Sequence, residues 1–330
     1  MFLSVIIPAY NSGKFIGKAI ESVVNQTYKE WELIVVDDCS IDNTSEIVAL
    51  WQKKDHRIHY EKLDKNTGSA FIPRKRAAEI SKGDYVVLLD SDDYLDIDFL
   101  ARCFVEISKT GADTVLGKMI ILNDKEEFTG ITIPQNDFDE KQQLSGKEAL
   151  RLTVPWKIGL NGAAFNRRLF LDTYCNHVGI NQGVYGDELL CRYCLLASNL
   201  VVFTGAYYFY RSNTESLVHS FSPRLFHMYD TYRDVRRLFI SQFGVNTCEH
   251  LNAEMYMLGG FRHALDIFLN NRDGLGHQER KAYLHRFKDW YADINWKKIK
   301  PVLSVKQKLV EVNGFKVLYY LYLIKKILKK

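Results

Sequence analysis

Residues 85–93 read Tyr-Val-Val-Leu-Leu-Asp-Ser-Asp-Asp, an unbroken apolar run that ends in three carboxylates. Such a run, bounded by Gly83 on one side and by acids on the other, predicts a strand over Tyr85–Leu89 that is buried on both faces. Working outward, the same pattern recurs. Leu3 to Ile7 is rich in β-branched residues and runs into the breakers Pro8 and Asn11 to Gly13. A helical spacing of Phe15, Ile16, Ala19, Ile20 and Val23 follows. Leu33 to Val36 is a second strand ending in Asp37, Asp38, Cys39 and Ser40, and Asp42, Asn43 and Thr44 offer caps to a helix through Ile47, Val48 and Leu50. Arg57 to Tyr60 reads as a third strand and Ile72 to Ser81 as a third helix. Strands buried on both faces and alternating with helices imply an α/β fold: a Rossmann-like, mostly parallel sheet flanked by helices. Ligands of such sheets bind beyond the carboxyl ends of the strands.

The polar residues gather at those ends. Asp37 and Asp38 follow one strand, and Asp90, Ser91, Asp92 and Asp93 follow another, so several carboxylates converge on one sheet edge. Crowded like charges need a cation or hydrogen-bond donors. Carboxylate oxygens favour hard divalent ions, Mn²⁺ or Mg²⁺, which commonly bridge the phosphates of a nucleotide. For Asp42 or Asp93 alone a turn or capping role is the simpler reading, whereas Asp90 and Asp92, two apart after an apolar strand, point to function.

Three linked stretches, SVIIPAYNSGKFIGKAIESVVNQTY, ELIVVDDCSIDNTSEIV and NTGSAFIPRKRAAEISKGDYVVLLDSDDYL, resemble the donor half of the inverting family-2 glycosyltransferases with the GT-A fold. Weaker similarity continues through Gly186 to Leu190 (GDELL) and Tyr208 to Ser216 (YFYRSNTES). The resemblance implies a donor half over residues 1–100, an acceptor-side half over 101–222 and a helical C-terminal region over 223–330. Pro8, Ala9, Tyr10 and Asn11 would line the base and ribose pocket, with Asp38 bonding the uracil or ribose. Arg74 would sit near the donor. Asp90-Ser91-Asp92 matches the DxD motif, with Asp90 towards the ribose and Asp92 as the direct metal ligand. The catalytic base would lie in the pair Asp187-Glu188. The family's usual Glu-Asp order is reversed there, so Glu188 takes the base's place by position and Asp187 by residue type, and position favours Glu188 with Asp187 kept as the alternative. The family's common Asn after the arginine is here Lys75, and its usual turn glycine after the paired aspartates is Cys39. The implied reaction moves a sugar from a nucleotide diphosphate, a UDP-sugar in the favoured case, to a hydroxyl of a glycan or lipid-linked acceptor.

Other features weigh less. His219 is a further candidate metal ligand, Arg211 could meet the diphosphate or be a surface loop residue, and Trp156 could stack on a sugar or be buried. Cys191 and Cys194 form a lone CxxC in an apolar helical run and read as core residues. Residues 225–296 carry two helical stripes, Phe226, Tyr229, Tyr232, Val235 and Leu238, then Met255, Leu258, Phe261, Leu265 and Phe268, broken near Gly244. These are core or homo-oligomer contacts by pattern, or a cover for the acceptor site.

The whole chain, 330 residues and 47% hydrophobic, is long enough for a sizeable core and roughly two domains. Its six cysteines are sparse, no secretory leader is legible, and a reducing, cytoplasmic setting is expected. Net charge is +4, yet residues 297–330 hold ten lysines against the single acid Glu311, which leaves the preceding 296 residues at −5. Val317, Leu318, Leu321, Ile324 and Leu328 recur at helical spacing, and Lys325, Lys326, Lys329 and Lys330 cluster at the end. Either this is a basic amphipathic helix drawn to the anionic inner face of the cell membrane, or it packs on its own body. With no aromatic platform among these lysines, nucleic acid is not an expected partner. No G-x-G-x-x-G follows the first strand, which disfavours a dinucleotide dehydrogenase. A nucleotidyltransferase would want a glycine-rich, basic phosphate loop that is missing between Ala9 and Phe15. A non-catalytic nucleotide-sugar-binding protein would have no need of Asp187-Glu188.

Overall fold

The computed structural model describes the chain apart from residues 136–137, 178–185, 213–224, 306, 309–313 and 328–330. It comprises two compact units, Met1–Thr214 and Glu215–Lys330.

The first unit starts as the alternating pattern requires: β1 (Leu3–Ala9), α1 (Ile16–Val24), β2 (Trp31–Asp37), α2 (Thr44–Gln52), β3 (Ile58–Lys62), α3 (Phe71–Ile80) and β4 (Tyr85–Leu88). β1 pairs in parallel with both β2 and β4, and β2 with β3. Alternate residues of β1 serve two cores. Leu3, Val5 and Ile7 pack with Ile16, Ala19, Ile20 and Val23 of α1. Ile6, with Val86 and Leu88 of β4, packs with Phe71, Ala77 and Ala78 of α3 on the other face. Both faces are therefore dry, which is why these strands carry almost no polar side chains.

The remainder of the unit is β5 (Tyr94–Leu95), α4 (Phe99–Thr110), β6 (Thr114–Leu122), β7 (Phe128–Ile133), α5 (Gly146–Leu152), β8 (Ala164–Asn166), α6 (Arg167–Asn176), α7 (Gly186–Ala197) and β9 (Val201–Arg211). The sheet order is β3-β2-β1-β4-β8-β6-β9-β5, with β7 hydrogen-bonded to β6. β8 runs antiparallel to β4 and to β6, and β6 is again parallel to β9. The expected parallel sheet is thus its first half, and a mixed half completes it. Short or half-exposed strands such as β5, β8 and β7 lack the long apolar runs that made the first four legible.

In the second unit, α8 (Leu225–Phe243) ends before Gly244, whose φ of 86° suits a residue without a Cβ. It is followed by α9 (Cys248–Asn271), α10 (His277–Asp293), α11 (Trp296–Ile299) and α12 (Phe315–Ile327). Phe226, Val235 and Leu238 of the first stripe and Leu258, Phe261, Leu265 and Phe268 of the second are buried, with Tyr229, Tyr232 and Met255 half-buried, so both stripes face the unit's core. Arg236 ties α8 to α10 by donating to both carboxylate oxygens of Asp293 at 2.9 Å. On α12, Leu318 is buried while Val317, Leu321 and Ile324 are exposed, so the stripe expected from spacing divides between two faces; Leu328 lies outside the described residues. Among the described residues no helix is long and apolar enough to cross a membrane.

Gly83, in the turn from α3 into β4, permits a close approach to β1: an added Cβ would lie 2.7 Å from the Ser4 backbone nitrogen and 2.9 Å from the Phe2 carbonyl. Gly83→Ala should cost about 1–3 kcal/mol, the range for forced overpacking. Gly274→Ala, where a Cβ meets nothing within 4 Å, should stay within about 0.5 kcal/mol. Chemical unfolding of the full chain checks the pair, and equal stabilities would refute the account of the turn.

Candidate active site

Three loops meet at the carboxyl ends of β1, β2 and β4, and hydrogen bonds stitch them. Asn11, left-handed at φ 48°, donates its N–H to Ser40 Oγ at 2.8 Å and accepts at Oδ1 from the Ile41 N–H at 2.9 Å. Ser12 donates its N–H to Thr44 Oγ1 at 2.8 Å, and its hydroxyl lies 2.7 Å from that of Ser91. Pro8 and Ala9 are buried at the end of β1, while Tyr10 stands exposed beyond them.

Asp37 and Asp38 are adjacent but differ in use. Asp37 accepts from the Ser40 N–H and hydroxyl and from the Tyr60 hydroxyl, so it braces the turn. Asp38 is buried and accepts from the N–H groups of Thr67 at 2.8 Å and Gly68 at 3.2 Å, which draws the 66–68 loop over the sheet edge. Cys39, at φ 63°, occupies the turn where a glycine would be unstrained.

The Asp90-Ser91-Asp92 segment is held from every side. Arg74, which is 6% exposed, donates from Nη2 to Asp90 Oδ1 and from Nη1 to Asp187 Oδ2. Burial disfavours its charge, but the two carboxylates outweigh that and hold the guanidinium well above its ordinary range. Its Nε, also buried, has no hydrogen-bond partner. Asn161 donates to Asp90 Oδ2 at 3.0 Å. The Asp90 N–H donates to the Tyr208 hydroxyl, which in turn donates to Asp93 Oδ2 at 2.6 Å. Asp93 is 1% exposed, and burial, then the charges of Asp92 and Asp90, push its carboxyl well above the usual range. It is a brace inside the loop and, unlike Asp92, is shut away from solvent.

Arg211, at the end of β9, is buried and donates to the Asp92 carbonyl, while its backbone N–H donates to Asp93 Oδ1 at 2.8 Å. It also pairs with Glu126 at 3.1 Å. It is neither a surface loop residue nor directed by these contacts towards a diphosphate; it anchors the acidic loop to the far half of the sheet. Asp187 and Glu188 open α7 and diverge, as consecutive helical residues must at about 100° per residue. Asp187 joins Arg74 and Asp90, whereas Glu188 pairs at 2.6 Å with Arg192, a fully buried guanidinium 5.5 Å from the Trp156 ring. Trp156 itself is 38% exposed. Burial lifts the Cys191 thiol to about 12 and pushes the Cys194 thiol well above its ordinary range, so both cysteines are inert core residues. His219 lies outside the described residues.

Ser12, Asn161, Tyr208 and Glu126 complete the site, and sequence reasoning did not assign them to it. Asn161 had a faint mark, its place before Gly162; Tyr208 looks like any strand aromatic. Among the described residues no group of three or more His, Cys, Asp or Glu side chains is arranged to hold a metal. The donor set still suits a hard ion shared with phosphates, which needs only one or two protein carboxylates. Asp90 is engaged on both oxygens, and Asp92 beside it is half-buried.

Arg74→Met should leave Asp90 and Asp187 facing each other without a cation, at a cost of about 3–5 kcal/mol. Adding Asp90→Asn and Asp187→Asn to the same chain should recover most of that loss. Urea unfolding of the two variants measures both, and a single variant as stable as the parent would show that this bridge does not hold the edge.

The family model for glycosyl transferase family 2 matches residues 4–168, half of the chain. The glycosyltransferase GlyG of Streptococcus pneumoniae is 27% identical over 221 residues, covering 66% of this chain and 72% of GlyG. A protein described as a putative teichuronic acid biosynthesis glycosyltransferase, TuaG of Bacillus subtilis, is 45% identical over 100 residues, 30% of this chain and 39% of TuaG. Among solved structures, residues 1–349 of TarS from S. aureus, in complex with UDP-GlcNAc, superpose with a TM-score of 0.64 at 21% identity, over 90% of this chain and 83% of that one. The match runs from β1 past the Asp90-Ser91-Asp92 segment to β8, and the chain belongs to glycosyl transferase family 2.

Proposed function

We propose that the protein transfers one sugar, with inversion, from a nucleotide diphosphate sugar to an acceptor hydroxyl on a growing or lipid-linked surface glycan. The observation that carries this reading is the single buried guanidinium of Arg74 joining the DxD aspartate Asp90 to Asp187 at the start of α7. It puts a carboxylate from the acceptor half beside the donor edge. The TarS complex, which holds UDP-GlcNAc, favours a UDP-sugar, and the name of TuaG favours a surface polysaccharide as acceptor.

In this reading Pro8, Ala9, Tyr10, Asn11 and Asp38 receive the nucleoside, and Asp90 and Ser91 face the ribose. Asp92 would hold Mn²⁺ or Mg²⁺, which when bound stabilises negative charge on the departing diphosphate. Arg74 faces the same phosphates. A diphosphate offers its guanidinium a denser anion than one carboxylate and so competes with Asp187 for it. Asp187, released, accepts the acceptor's proton as that oxygen bonds to the anomeric carbon and the bond from that carbon to the β-phosphate oxygen breaks. Glu188 is the weaker candidate for base, because its partner Arg192 draws it towards Trp156. The basic segment 297–330 favours work at the inner face of the cell membrane.

Calorimetric titration with UDP, GDP and CDP, each with Mn²⁺ and with EDTA, tests the donor half. We expect metal-dependent binding of one nucleotide, UDP, and its loss in Asp92→Asn; failure of all three to bind would overturn the reading. Asp187→Asn should lower transfer by at least about 10²-fold with nucleotide binding kept, the scale of general-base catalysis, while Glu188→Gln should do less. The reverse order of the two variants would reassign the base.

A further inference from the structure

The C-terminal helix α12 has two apolar faces, and among the described residues one of them packs inside its own unit while the other is exposed. At about 100° per residue, Phe315, Leu318, Tyr319, Tyr322 and Lys326 fall on one side. Phe315 lies 6.5 Å from the Phe261 ring of α9 and 6.0 Å from Tyr291 of α10, Leu318 is fully buried, and Lys326 donates from Nζ to the Leu269 carbonyl. The opposite side carries Val317, Tyr320, Leu321 and Ile324, spaced i, i+3, i+4, i+7, with 43%, 59%, 39% and 50% of their surfaces exposed. Lys316 and Lys325 stand on the two flanks between these faces, one on each side of the exposed stripe, and both are exposed.

We infer that this outward face is an interfacial anchor that lies in the plane of an anionic lipid bilayer, with Val317, Tyr320, Leu321 and Ile324 inserted and Lys316 and Lys325 reaching the headgroups. The inference builds on the basic segment invoked above and names the surface that would make the contact. The helix is 13 residues long, against the ~20 apolar residues needed to span a bilayer, so it suits the interface only. Its flanking lysines can lay their methylene stems along the apolar stripe and keep their ammonium groups at headgroup level. Charge selects among occupants. Lys316 and Lys325, exposed on the two flanks of the stripe, make a second copy of this face an unfavourable partner, since like charges would meet around the apolar contact. An anionic bilayer supplies both the apolar medium and the counter-charge over an area that the stripe does not need to match in shape.

Flotation of the full chain on phosphatidylcholine vesicles, with and without a phosphatidylglycerol fraction, tests this, with UDP binding measured on the same preparations. The parent should float with the anionic vesicles and bind neutral ones at least about tenfold more weakly, as two lysines near the surface predict. Val317→Ser, Leu321→Ser and Ile324→Ser combined should lose at least about tenfold of the binding to anionic vesicles. Lys316→Glu with Lys325→Glu should lose a similar factor, and all variants should bind UDP as the parent does. Equal flotation of the parent and the apolar triple variant would overturn the anchor. So would a parent that stays off anionic vesicles, or one that self-associates through this stripe by sedimentation. Because nucleotide binding is read separately, its absence would count against the transferase reading and leave the anchor result standing.

Discussion

A buried guanidinium between two carboxylates governs the arrangement of this site. Taking a charge out of water is costly, and Arg74 is tolerated at 6% exposure because Asp90 and Asp187 both meet its planar fork. A lysine could not serve two anions on separate nitrogens in a fixed geometry. The bridge makes residues 113 positions apart neighbours, so the start of α7 is registered against the end of β4. The other contacts serve the same edge from other directions: Asn161 from the loop before β8, Tyr208 and Arg211 from β9. Each far-half element that touches the acidic loop does so through a hydrogen bond to it, and this is how a mixed sheet half is fitted to a parallel one at the point where chemistry is expected.

The first four strands and the intervening helices were legible because both sheet faces are covered, and burial on both faces leaves an unmistakable apolar run. The carboxylates at the sheet edge were legible for a related reason: a run that ends abruptly in acids marks a strand's carboxyl end. What spacing could not show is direction within a pair. Asp187 and Glu188 are equivalent in one dimension, and only the helix, by turning about 100° between them, sends one to Arg74 and the other to Arg192. Arg211 was ambiguous for the same kind of reason. Its neighbours in sequence look like a loop, while its partners lie on segments more than 80 residues away.

The C-terminal segment shows the converse. Its charge excess is a property of composition and survives any folding, so it was plain from the sequence. The apolar spacing was also plain, yet it is consistent with two faces, since Val317 and Leu318 are consecutive and cannot lie on one side of a helix. Packing against α9 and α10 resolves this by claiming Phe315 and Leu318 for the unit's own core.

The acidic loop itself explains why so many donors are needed. Asp90, Asp92 and Asp93 crowd within four residues, and each is treated differently: Asp90 by Arg74 and Asn161, Asp93 by burial with Tyr208 and the Arg211 N–H, and Asp92 through its carbonyl, which accepts from Arg211. The Asp90 and Asp93 side chains are thereby held by the fold, and Asp93 is withdrawn from solvent. Asp92 stays half-buried between two such neighbours, with its carbonyl bonded to Arg211. The donors around the loop thus offset part of the mutual repulsion of its three carboxylates.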